Sequence, residues 1–135
     1  MNTFGRMISQ ILLAEDSADD AFLLSHALQK AAIAHVLIKV GNGEEAINYL
    51  CEKPRPDLIL LDLKMPKLDG FDVLAFIRER PELKDLPVIV LTASELQEDR
   101  AKATSLGAKD YFVKTSEWRN LAMALKSRFN EILGT

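Results

Sequence analysis

Residues 57–70 read DLILLDLKMPKLDG. Leu58-Ile59-Leu60-Leu61 is a continuous branched apolar run, the pattern of a strand buried on both faces. Asp62 follows at once, with Leu63 beyond it. Asp is a poor strand residue, and an ionised carboxylate is costly to desolvate. Asp62 therefore either marks the exit of the strand into water or sits there for its chemistry.

Four further apolar runs flank this one: Ile8 to Ala14, Val36 to Val40, Val88 to Leu91 and Tyr111 to Val113. Segments of helical period lie between them. Leu24, Ala27, Leu28 and Ala31 share one face, as do Trp118, Leu121, Ala122, Leu125, Phe129 and Ile132. Ser94 with Gln97 reads as a capping box, and Ser116 precedes the last helix. Asn42-Gly43 and Asp69-Gly70 punctuate two turns, and Gly107 closes the fourth helix. The result is β-α repeated five times, which implies an α/β fold with a parallel sheet and helices on both faces. The helix near Glu95 to Leu106 is the least apolar and is expected to lie lightly on the sheet.

The totals fit this picture. The chain has 135 residues, enough for one domain with a full core, here residues 8–133 with no output domain. A net charge of −3 gives no reason to expect a nucleic-acid partner. No apolar run approaches the ~20 residues of a membrane span, and MNTFGRMISQ lacks the apolar core of a signal peptide. A single cysteine, Cys51, rules out an internal disulfide and fits a reducing cytoplasm, the expected location. Cys51 has no evident partner and reads as a packing or partly exposed thiol.

The polar residues that end the apolar runs carry the function. The first run ends in Glu15-Asp16, the third in Asp62, the fourth in Thr92 and the fifth in Lys114. Carboxyl ends of parallel strands share one edge, where open α/β sheets bind ligands. Three carboxylates crowded together repel and tend to hold a proton. A hard divalent cation such as Mg²⁺, which takes oxygen ligands, relieves this. Mg²⁺ with a lysine and a hydroxyl suits a phosphoryl group, and an Asp carboxylate can be the nucleophile that receives it. Asp19 and Asp20 read as ordinary first-turn residues of helix 1. Gly41-Asn42-Gly43-Glu44-Glu45-Ala46 matches a dinucleotide fingerprint, but its two glutamates place negative charge where pyrophosphate would sit, so it reads as a turn. His26 and His35 lie apart and resemble no phosphotransfer histidine.

The motifs ILLAEDS, DLILLDLKMPKLDG, VIVLTAS and GAKDYFVK resemble those of response-regulator receiver domains of two-component signalling. The likeness runs from about Gln10 to Phe129, and the spacings of 30 from Asp62 to Thr92 and 22 from Thr92 to Lys114 agree. The chain is similar to stand-alone receivers whose first motif reads like ILLVEDN, including those paired with bacteriophytochromes. The resemblance implies a flavodoxin-like (βα)5 three-layer sandwich with strand order 2-1-3-4-5. It implies Asp62 as phosphoacceptor, with Mg²⁺ held by Glu15, Asp16, Asp62 and the backbone carbonyl of Lys64. Thr92 and Lys114 would bond phosphoryl oxygens, and small Ala93 would leave the group accessible. Thr92 and Tyr111 match switch positions, with Tyr111 turning inward on activation. The partners implied are a sensor histidine kinase or phosphotransfer protein, a downstream protein and, on one face, a second copy.

The sequence departs from the family at Thr115, where proline usually follows the lysine through a cis bond. A cis bond before a non-proline costs ~2.5–4 kcal/mol, so a trans bond is expected here. Two other functions compete. A degenerate receiver would bind partners without phosphorylation. A haloacid-dehalogenase-type phosphatase would want an acid two residues after Asp62, where Lys64 stands, and a cap insertion, which the chain lacks. The expected protein is therefore a signalling phosphoacceptor rather than an enzyme.

Overall fold

Five strands and five helices alternate along the chain in a computed structural model that describes residues 9–33 and 35–134. They are β1 (Ser9–Ala14), α1 (Ala18–Lys30), β2 (His35–Val40), α2 (Gly43–Glu52), β3 (Leu58–Leu61), α3 (Gly70–Glu79), β4 (Val88–Thr92), α4 (Gln97–Ser105), β5 (Asp110–Val113) and α5 (Trp118–Leu133). Ile8, the expected start of the first strand and of the domain, lies outside the described residues, as do the rest of the N-terminal segment and Thr135. The sheet is parallel throughout, in the expected order β2-β1-β3-β4-β5.

The continuous apolar runs are explained by burial on both faces. Within β1, Ile11 and Leu13 face one core while Leu12 and Ala14 face the other. Within β3, Leu58 and Leu60 pack beneath α1 and α5, and Ile59 and Leu61 pack beneath α2 and α3. All four leucine-isoleucine side chains of β3 are fully buried, a contribution of roughly 1.5–3 kcal/mol each before entropy is counted. The third layer is uneven. Helix α4 buries only Ala103, so it rests lightly on the sheet as its polar sequence implies.

Helix starts show where local chemistry differs from the simplest reading. Asn42 and Asp69 are not only turn residues. Each is an N-cap, Asn42 accepting from Glu45 N and Asp69 forming a reciprocal capping box with Asp72. The Ser94–Gln97 capping box does not form. Helix α4 begins at Gln97 after Leu96, with no side-chain cap, because Ser94 Oγ instead donates to Asp99 Oδ2 at 2.5 Å and accepts from Leu96 N. Ser116 does not cap α5 either; Glu117 occupies that position without a side-chain cap bond, its own N–H donating to Thr115 Oγ1. Gly107 does close α4, in the left-handed region at φ +95°. Among the described residues no helix is long and apolar enough to cross a membrane.

Candidate functional site

The sheet's hydrogen-bond ladder extends one step past its strands, and that step places the site. Glu15 N donates to Val40 O, Asp62 N to Ala14 O and Lys114 N to Thr92 O. Each of these residues is thus fixed by backbone at the carboxyl edge of the sheet. Chain order reverses between β1 and β3, so Glu15, Asp16 and Asp62 flank the crevice where open α/β sheets take ligands.

One carboxylate oxygen from each of Glu15, Asp16 and Asp62 lies within 4.8 Å of the others. Glu15 and Asp62 are buried, and Asp16 is exposed. Lys114 Nζ donates to Glu15 Oε1 at 2.6 Å, Asp62 Oδ2 at 2.9 Å and Asp20 Oδ2 at 2.9 Å. The other Asp62 oxygen accepts from Lys64 N. Thr92 is fully buried at the end of β4, and Ala93 beside it is exposed.

Electrostatics follow from this crowding. Burial pushes the Glu15 carboxyl up to about 7, the hydrogen bond from Lys114 pulls against that, and the Asp62 charge pushes further upward. Burial alone would favour neutral Lys114, but its hydrogen bonds to Glu15, Asp62 and Asp20 outweigh burial and hold the ammonium above its ordinary value. The donor set is all oxygen, clustered and negative, and it fits a hard divalent cation.

Comparison with known proteins agrees with this edge. Residues 11–126 match the response regulator receiver domain. The chain belongs to that family. It is 40% identical over 117 residues to the response regulator Rcp1 of Synechocystis sp., covering 82% of this chain and 80% of Rcp1. The phosphorylated cyanobacterial phytochrome response regulator RcpA has the same fold, with a TM-score of 0.83, 36% identity and 93% and 94% of the two chains covered. The Mn²⁺-bound form of Rcp1 gives a TM-score of 0.82 and 37% identity over 94% and 96%. The chain is thus a receiver domain of two-component signalling, not an enzyme of the ordinary kind.

The receiver fold brings together Glu15, Asp16, Asp62 and Lys114, as expected from the sequence. The Lys114–Thr115 bond is trans, since no cis peptide occurs among the described residues, and Lys114 still reaches Asp62. One feature differs from expectation. Asp20 is not merely a first-turn residue, because it joins the Lys114 cluster. No local spacing signals this role, because its partner lies 94 residues away in sequence. Tyr111 lies inward in this structure. It is buried, its hydroxyl donates to Ser94 O at 3.0 Å, and the Arg100 guanidinium lies 4.5 Å from its ring centroid.

Proposed function

We propose that this receiver is activated by phosphorylation of Asp62, with a sensor histidine kinase or phosphotransfer protein as donor. The observation that carries this reading is the Lys114 ammonium, 2.9 Å from Asp62 beside the acidic trio. An Asp62 oxygen attacks phosphorus, and the P–N bond to the donor imidazole breaks as the O–P bond forms. The leaving electron pair stays on the imidazole nitrogen. Lys114 then shifts a hydrogen bond from the carboxylate to a phosphoryl oxygen, and Thr92 donates its hydroxyl to another. Mg²⁺ held by Glu15, Asp16, Asp62 and the Lys64 carbonyl would supply positive charge against the transferring group. The Mn²⁺ bound to Rcp1 supports this choice of metal class. Exposed Ala93 leaves the group open to donor and to hydrolytic water.

Drawing Thr92 toward the phosphoryl group pulls on the loop that carries Ser94, and through Ser94 on Tyr111 and α4. Loosely packed α4 is the element best able to respond. A shift from 1:99 to 99:1 needs roughly 5.5 kcal/mol of differential stabilisation. The altered face passes the signal by docking a partner protein or a second copy. The phytochrome response regulators among its relatives support a kinase of that kind as donor.

Incubation with Mg²⁺ and acetyl phosphate, read by intact mass spectrometry, tests this function. One added phosphoryl group is expected, absent in Asp62→Asn and without metal. An unmodified wild-type protein would mean a module that works without phosphorylation, and multiple turnover of a phosphomonoester would mean a phosphatase.

A further inference from the structure

Lys114 carries three ammonium protons, and each has a carboxylate partner: Glu15, Asp62 and Asp20. Glu15 and Asp62 belong to the clustered trio of possible metal ligands, and Asp20 does not. The chemistry that occupies the trio therefore leaves Asp20 as the partner that Lys114 can keep. The Asp20 side chain, 31% exposed, lies on the open side of the ammonium, while the Glu15 and Asp62 side chains are 4% and 5% exposed.

Asp20 is itself held in register with the site. Its N–H donates to Ser17 Oγ, the N-cap of α1, and Ser17 N donates to Glu15 Oε2. Glu15, Ser17, Asp20 and Lys114 thus form a closed ring of hydrogen bonds. The ring joins the first turn of α1 to the end of β5, residues 94 positions apart in sequence.

We propose that Asp20 is a positioning residue for phosphoryl transfer, holding the Lys114 ammonium at the rim of the site so that it meets the incoming phosphoryl oxygen. Without it the lysine leans wholly on Glu15 and Asp62, the groups it must share with the cation and the phosphoryl group. This rests on Lys114 being the ammonium that pairs with the phosphoryl group.

The test is a double-mutant cycle on the rate of phosphorylation by acetyl phosphate at saturating Mg²⁺, in the full chain. Asp20→Ala is expected to slow transfer about tenfold, and Asp20→Asn, which keeps an oxygen acceptor, less so. In a Lys114→Gln background, Asp20→Ala is expected to add less than about twofold. Asp19→Ala removes a charge from the same exposed turn without touching Lys114 and is expected to change the rate less than about twofold. An equal loss in both lysine backgrounds, an equal loss in Asp19→Ala, or full recovery with excess Mg²⁺ would overturn the proposal. A second readout stands apart from phosphorylation. The Lys114 ammonium signal in ¹H–¹⁵N spectra is expected to be protected in wild type and Asp19→Ala and lost in Asp20→Ala. An unphosphorylatable wild type with that pattern would sink the function and leave the positioning intact, whereas an unchanged signal in Asp20→Ala would sink the positioning alone.

Discussion

The hydroxyl of Tyr111 donates to the backbone carbonyl of Ser94, joining the middle of β5 to the loop between β4 and α4. Ser94 is also the residue whose N–H lies 3.5 Å from Thr92 Oγ1 and whose hydroxyl donates to Asp99 on α4. Thr92, Ser94, Tyr111 and α4 are therefore one connected path, and the aromatic ring sits inside it.

Removing that hydroxyl isolates its share. Tyr111→Phe keeps the buried ring and its contact with Arg100 but leaves the Ser94 carbonyl without this donor. A loss of about 1 kcal/mol in urea denaturation is expected, with the slope unchanged. Tyr111→Ala, which also removes the ring, is expected to cost about 3–5 kcal/mol. Equal losses for the two variants would mean the ring contributes nothing.

The raised Glu15 carboxyl gives the metal site a pH dependence. Below about 7 the metal-free protein holds a proton on Glu15, and a cation must displace it. Mg²⁺ affinity, followed by intrinsic fluorescence, is expected to climb from pH 5.5 toward pH 7 by up to about tenfold per unit, then level off. The folded state also holds this proton more tightly than the unfolded chain. Through this group the metal-free stability is greatest below the ordinary carboxyl value of 4.5 and falls as pH rises toward 7. A Mg²⁺ affinity flat across this range would show Glu15 ionised throughout.

What could be read from the sequence was what periodicity and strand ends encode. Leu58 to Leu61 announced a strand buried on both faces, and the polar residues at the ends of β1, β3, β4 and β5 announced a shared rim. Asp20 was not legible, because its role depends on a lysine 94 residues away and not on local spacing. Ser94 misled for a related reason. Its spacing to Gln97 matches a capping box, but its oxygen accepts from Leu96 N and its proton goes to the Asp99 carboxylate, so the helix starts later. The inward Tyr111 also depends on tertiary partners, Ser94 and Arg100, that no pattern in GAKDYFVK contains.

Arg78 is expected to matter for stability although it is exposed. From α3 it donates to the carbonyls of Leu106, Gly107 and Lys84, pinning the turn after α4. Arg78→Ala is expected to cost about 1–3 kcal/mol, more than an ordinary surface change. Gly107→Ala should cost at least as much, since φ is +95° and a Cβ would collide with the Arg78 guanidinium. Because both changes break the same contact, the double variant is expected to lose less than their sum in thermal or denaturant unfolding. Strict additivity would mean that Arg78 and Gly107 act separately.

Gly70 links the fold to the site through backbone alone. A Cβ there would strike the Asp62 carbonyl oxygen and the Leu63 Cα, neither of which can rotate away as a side-chain end can. The Asp69–Asp72 capping box fixes the start of α3, so the helix cannot easily retreat. Gly70→Ala is expected to lower stability by about 1–3 kcal/mol and to weaken Mg²⁺ binding as well, because the strain falls on the peptide that carries Asp62. Gly134→Ala is the matched comparison. Its φ is +71°, but a Cβ there meets open space, so only the left-handed backbone cost of about 1–2 kcal/mol applies and metal binding stays unchanged. Mg²⁺ titrations of the two variants separate the effects: equal affinities would show that the approach of α3 to Asp62 supports the fold without shaping the site.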